Sequence, residues 1–200
     1  MLDVGCGTGH AVAELASLGA RPIGVDVSLS FAREWFPACD FREGKAESLP
    51  VDSSTVDCYR AQRLYHLLAE PEKALAEARR VLVPSGRIIL IGQEYDLWAL
   101  DSDDPDLTRS LMRAHAQRMS TPRGALKYRA LLLDNGFTDV HVEVQTAVHT
   151  DYAAVAPLVS QIAAGADGWL AEQASRGSRG RFLAVLPMFL VVGVRAGGQE

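Results

Sequence analysis

Three glycines at alternate positions, Gly5, Gly7 and Gly9, follow the apolar strand end Leu2-Asp3-Val4 and precede the helix-patterned stretch Ala11 to Leu18. A loop of this kind brings main chain close to a ligand, because glycine has no side chain to block the approach and takes positive φ without strain. One short strand later, Ile23-Gly24-Val25-Asp26 ends in a carboxylate. A strand-loop-helix-strand unit places such a group where it accepts both hydroxyls of a ribose. The two features predict a nucleoside cofactor. The dinucleotide fingerprint G-x-G-x-x-G would need its third glycine at position 10, but His10 stands there and Gly9 comes one residue early. A nicotinamide-dependent oxidoreductase therefore remains a rival that lacks its decisive glycine.

The run Asp3-Val4-Gly5-Cys6-Gly7-Thr8-Gly9 resembles the first motif of class I S-adenosylmethionine-dependent methyltransferases, and Gly24-Val25-Asp26-Val27-Ser28 resembles the second. Gly44-Lys45-Ala46-Glu47-Ser48-Leu49-Pro50, Val56-Asp57 with Tyr65-His66-Leu67-Leu68, and Arg80-Val81-Leu82-Val83-Pro84-Ser85-Gly86-Arg87 resemble the later motifs of the small-molecule branch. That branch includes the ubiquinone and menaquinone biosynthesis methyltransferases. The resemblance is carried by residues 1–96 and continues beyond them in pattern alone.

The resemblance implies S-adenosylmethionine as cofactor and methyl transfer to an O, N or C atom of a small organic metabolite. Backbone N–H groups of Gly5, Cys6, Gly7 and Gly9 would face its methionine part, with Asp3 either holding the loop or pairing with the ammonium group. Asp26 would accept the ribose hydroxyls, with Val27 beside it; the alternative for Asp26 is a helix cap, a role Ser28 can already fill. Ala46 and Glu47 would meet the adenine, and Leu29, Phe31 and Leu49 would wall it or belong to the core. Lys45 departs from the family, which often has an acidic residue there to accept from the adenine amine; lysine only donates. Ala61 and Gln62 would reach the methionine end, and Arg63 would orient an acidic substrate group or sit on the surface. His66, near the family's histidine pair, and Glu94, with Tyr95 beside it, are the candidates to take a substrate proton, His66 having a structural reading as well. Leu97, Trp98, the Met112 to Met119 segment with His115, Tyr152 and Trp169 would wall the substrate or fill the core.

Family members carry further residues before the first motif, so a start at Met1 reads as an N-terminal truncation. That feature and Lys45 support the second reading, a non-catalytic or degenerate methyltransferase-fold binding module.

The elements that must position these groups alternate strand and helix, which implies a Rossmann-like, doubly wound α/β sheet, mostly parallel. Strands are predicted at 1–5, 22–26, 39–42, 55–60, 86–94, 137–148 and 182–194. Helices fall at 11–18, 28–35 with Ser28 as N-cap, 71–82 stopped by Pro84-Ser85-Gly86, 106–119, 121–133, 152–164 and 168–174, with a loop at 175–180. The resemblance supplies a seven-stranded order with the last strand antiparallel beside the fifth, and a helical insertion at about 150–181 precedes it. The chain is read as one domain over residues 1–200, with 1–96 as the cofactor half and 97–200 as the substrate side.

Length and composition agree with that. Two hundred residues at 48% hydrophobic content bury a full-sized core. The net charge of −5, without any lysine or arginine block, argues against nucleic acid or an anionic membrane surface as partner. Cys6, Cys39 and Cys58 have no metal-type spacing and read as reduced thiols in a cytoplasm. The run Phe182 to Val194 is too short for a membrane span and is interrupted by Pro187.

Overall fold

The computed structural model describes residues 1–197. Strand β1 (Leu2–Val4) lies between β2 (Ile23–Asp26) and β4 (Val56–Gln62). β3 (Asp40–Glu43) flanks β2, and β5 (Leu82–Gln93) flanks β4. All four of these pairings are parallel. The last strand, β8 (Ala184–Arg195), runs antiparallel between β5 and the edge strand β7 (Phe137–His149). The expected order is therefore present, with one addition. A two-residue strand, β6 (Ala99–Leu100), pairs with Val185 and Ala184 of β8 and makes eight strands where seven were expected. Pro187 is tolerated inside β8 because the β5 ladder stops at Gln93 opposite Met188, so no amide is needed toward β5 at 187.

Helices α1 (His10–Ser17), α2 (Ser30–Trp35), α3 (Pro71–Val81), α4 (Pro105–Ala116), α5 (Gly124–Asp134), α6 (Tyr152–Ile162) and α7 (Asp167–Ser178) complete the fold. Several predicted boundaries move, three of them for an identifiable local reason. Helix α2 starts at Ser30 without a side-chain cap, because the Ser28 N–H turns back to Asp26 Oδ1 at 3.1 Å. Helix α3 stops at Val81, and Leu82 already pairs with Val56. Residues 83–86 then bulge out, with Ser85 at φ 61°, before Arg87 pairs with Cys58. Helix α7 continues through the predicted loop to Ser178, because Arg176 is anchored by Glu172, Asp101 and Asp103 at 2.7, 2.5 and 2.6 Å.

The sheet buries its two faces unequally. Tyr59, Ile88, Leu90 and Val191 point into the main core with α3 and α5 and are closed to solvent. The alternating Ile89, Ile91, Leu190 and Val192 on the other face are only half-buried. A second core joins the loop after β5 to α4, α6 and α7 through Tyr95, Trp98, Met112, Trp169 and Phe182. A third holds α1 and α2 to β3 around Phe41, whose ring packs on Gly9 and Gly24. Among the described residues no helix is long and apolar enough to cross a membrane.

Candidate functional site

The carboxyl ends of β1, β2 and β4 point to one crevice, and the glycine loop crosses it. Gly5, Gly7 and Gly9 have φ of 71°, 54° and 83°. A Cβ on Gly9 would lie 2.7 Å from Phe41 Cζ, whereas one on Gly7 would meet nothing. The loop amides are largely spoken for. Gly5 N–H and Cys6 N–H both donate to Val25 O at 2.8 and 3.2 Å, and Gly9 N–H donates to Cys6 O at 3.0 Å. Gly7 N–H donates to Asp26 Oδ2 at 2.8 Å. These four amides hydrogen-bond to Val25, Cys6 and Asp26 and hold the shape of the loop at the head of the crevice.

Two cavities flank the loop. One, of about 180 Å³, is lined by Val4, Gly5, Val25, Asp26 and Val27 on one side and by Gly44 to Glu47, Leu64 and Leu68 on the other. Asp26, Val27, Ala46 and Glu47 are therefore brought together as predicted. Of the two roles open to the apolar candidates, Leu29 and Leu49 take the core one, and Phe31 takes neither. Phe31 is exposed on α2 against Trp35, while Leu64 and Leu68 do the lining. Lys45 forms a tight turn with Ser48, whose N–H donates to Lys45 O at 3.0 Å. This wall is fixed from behind by α3. Glu77 Oε2 accepts from Leu49 N–H at 2.8 Å, and Arg80 donates to Leu49 O at 3.1 Å, to Val51 O at 2.9 Å and to Glu77. The Arg80 hydrogen bond holds the Glu77 carboxyl below its usual range.

The second cavity, of about 300 Å³, is lined by Asp3, Cys6, Thr8, His10, Glu14, Arg60, Gln62 and Arg63 among others. Asp3 is 2% exposed and pairs with Arg60 Nη1 at 2.5 Å, while Arg60 Nη2 also donates to Gln62 Oε1. Burial pushes the Asp3 carboxyl up, against the opposing pull of Arg60. Burial, with Asp26 and Asp3 nearby, pushes the Cys6 thiol up to about 12, so it stays protonated. Arg60, which the sequence reading did not single out, is the missed residue of this site. The signal for it was the register: Asp3 of β1 lies directly beside Arg60 of β4. Ala61, fully buried, contributes backbone and packing only.

The proton-transfer candidates fare differently. Glu94 is 2% exposed, and its Oε1 accepts from Leu126 N–H at 3.1 Å at the start of α5. The carboxylate caps a helix whose own N-cap, Arg123, lies in the left-handed region and makes no side-chain cap. His66 is buried beside Tyr95, its Nδ1 has no partner, and burial followed by the Arg63 charge pulls its pKa down. His115 stacks edge-on against Tyr95 at 4.4 Å and takes a hydrogen bond from Arg118 on Nδ1 at 2.8 Å. Since arginine only donates, Nδ1 is the acceptor and the proton sits on Nε2. Trp98, Met112 and Trp169, expected as possible substrate walls, are buried in the second core, where Trp169 Nε1 donates to Thr108 Oγ1 at 2.8 Å. Leu97 is exposed. The described residues contain no group of ligating side chains suited to a metal ion.

Residues 2–90 match the family described as methyltransferase domain. The match takes in the glycine loop, Asp26, the Lys45-to-Glu47 turn and His66. The chain is also 34% identical over 161 residues to an uncharacterized 37.1 kDa protein of transposon TN4556 from Streptomyces fradiae, covering 75% of this chain and 46% of that protein. It spans less than half the length of the curated relatives it matches. Among solved structures, YcgJ from Bacillus subtilis shares the fold with a TM-score of 0.70 at 20% identity, over 98% of this chain and 92% of the other. A Haemonchus contortus phosphoethanolamine N-methyltransferase, solved with phosphomonomethylethanolamine and S-adenosylhomocysteine, does so with a TM-score of 0.64 at 16% identity, over 98% and 49%.

Proposed function

We propose that this protein transfers the methyl group of S-adenosylmethionine to an O, N or C atom of a small organic metabolite. The observation that carries the reading is the Asp26 carboxylate at the end of β2, lining a cavity whose other walls are apolar side chains and the Gly44-to-Glu47 turn. Each oxygen of Asp26 takes one backbone N–H and keeps a lone pair for a ribose hydroxyl. Ala46 and Glu47 lie where the base would be held, with Val27, Leu64 and Leu68 as walls. When bound, the cofactor supplies an electrophilic methyl carbon on sulfur and leaves as a neutral thioether. Catalysis then rests mainly on holding acceptor, methyl and sulfur in line, which relieves the protein of strong acid-base work.

For an acceptor that must lose a proton, His66 is the better candidate, since Glu94 is committed to α5 and His66 is kept neutral with an open nitrogen. On this reading the partner is a small molecule, with no nucleic acid or membrane. The three free thiols fit a reducing cytoplasm.

The Asp3–Arg60 pair favours one competing reading, a non-catalytic or degenerate methyltransferase-fold binding module, because it occupies the carboxylate that would meet the ammonium group. Calorimetry with S-adenosylhomocysteine tests the binding half. Heat is expected, with Asp26→Ala weakening it far more than His66→Ala; no heat from the wild type would end the proposal. Methyl release from labelled cofactor, assayed against small phenols, amines and carbon acids, separates enzyme from module.

A further inference from the structure

We propose that the outer edge of β7 joins two copies of this chain into an antiparallel, two-fold symmetric dimer, giving one continuous sheet across both. β7 pairs only with β8, so the polar groups on its other side have no partner strand among the described residues. It is thirteen residues long, well above an ordinary strand, and nearly every residue from Thr138 to Val148 is exposed. Val142, Val144 and Val148 are 37, 52 and 60% exposed on one face.

Edge strands are normally guarded by lysine, proline, brevity or a bulge. β7 contains neither lysine nor proline, and its bulge, at Asp139 with φ 50°, lies near one end. From His141 to His149 the register against β8 is regular, which leaves a straight edge.

The sequence of that edge is complementary to itself. With Val144 on the two-fold axis, Val142 faces Thr146 of the second copy, so β-branched side chains meet on one face. On the other face Glu143 lies opposite Gln145 and His141 opposite Ala147, so no two like charges meet within the regular stretch 141–149. Shifting the axis by one residue sets Glu143 against Glu143 of the second copy, which is unfavourable. Charge thus disfavours that shift, and the alternation keeps the valines of both copies on one face, as an isologous contact requires. Edge pairing alone buries less than the ~1,200 Å² of a standard interface, so the dimer belongs in the micromolar range.

Sedimentation velocity and light scattering across the micromolar range test this on the full chain. The wild type is expected to pass from monomer to dimer as concentration rises. Val144→Lys, which puts two like charges together on the axis, is expected to weaken dimerisation about tenfold or more, whereas Val144→Thr keeps it. Val144→Cys is expected to yield a disulfide-linked dimer on mild oxidation that the wild type, with its own three cysteines, does not give. Circular dichroism checks that each variant is folded. S-adenosylhomocysteine binding is expected to be equal in wild type and Val144→Lys, which keeps this result independent of the cofactor reading. A wild type that stays monomeric, or a dimer that Val144→Lys leaves intact, would overturn the proposal.

Discussion

Replacing Arg60 with methionine isolates the energetics of the pair beneath the glycine loop. Asp3 is 2% exposed, and Arg60 is the cation that holds it, with 15% of its own side chain exposed. Removing one partner of a buried pair costs about 3–5 kcal/mol, because the other is left as an uncompensated charge. The partial exposure of Arg60 places the loss near the lower end, about 3 kcal/mol, or roughly 6–12 °C in Tm for a chain of this size.

The pH dependence is the sharper test. Burial already raises the Asp3 carboxyl in the wild type, and Arg60 opposes that rise both as a charge and as a hydrogen-bond donor. Without Arg60 the folded-state pKa climbs further. The folded protein then binds the proton more tightly than the unfolded chain does, so stability falls as pH rises from the unfolded value near 3.8 through the folded value, and the deficit is full above it. The difference between wild type and Arg60→Met should therefore be largest at neutral pH and shrink toward pH 4. Asp3→Asn in the Arg60→Met background should recover most of the loss at pH 7. Urea unfolding followed by circular dichroism at both pH values reads this out; a deficit that is the same at pH 4 and pH 7 would refute the account.

Further outcomes follow from geometry elsewhere. Gly9→Ala combines left-handed strain of about 1–2 kcal/mol with a 2.7 Å clash against Phe41, so it should cost clearly more in urea unfolding than Gly7→Ala, which bears the strain alone. Glu94→Ala should lose about 1–2 kcal/mol of stability, and Glu94→Gln, which keeps an acceptor for the Leu126 amide, should lose less. His115 should appear by nitrogen NMR as the neutral Nε2–H form, with a pKa below 6.5 because of burial, Arg118 and His66. A base whose folded pKa is depressed binds its proton more readily when unfolded. Stability should thus drop as pH falls through 6.5, and His115→Gln should flatten that slope.

The α/β class and the position of the crevice were legible because they rest on patterns that survive in one dimension: alternating strand and helix, glycines at a turn, an acid at a strand end; the strand order came from the family resemblance. Asp26 was singled out by its place at a strand end, Val27, Ala46 and Glu47 by the resemblance, and the four line one cavity. What was not legible depends on pairing across the sheet. Arg60 looks like one arginine among many until β1 and β4 are set side by side with Asp3 next to it. Glu94 reads from sequence as a group to take a substrate proton, and its second role, capping the otherwise uncapped N-terminus of α5 far along the chain, shows only in the fold. Leu64 and Leu68 were passed over for Leu29, Leu49 and Phe31 because periodicity cannot say which apolar side chain faces a cavity and which faces the core. The extent of α7 was missed for a similar reason, its glycine and serines being outweighed by three acids that gather around Arg176.

The Glu77–Arg80 clamp gives α3 influence over a pocket it never touches. A turn held rigid before its guest arrives loses little freedom on binding, whereas a slack one must be ordered at the expense of affinity. On the proposed reading the grip on the adenosyl end is then partly set on the far side of the wall, and a change there would loosen the site while leaving every lining residue in place.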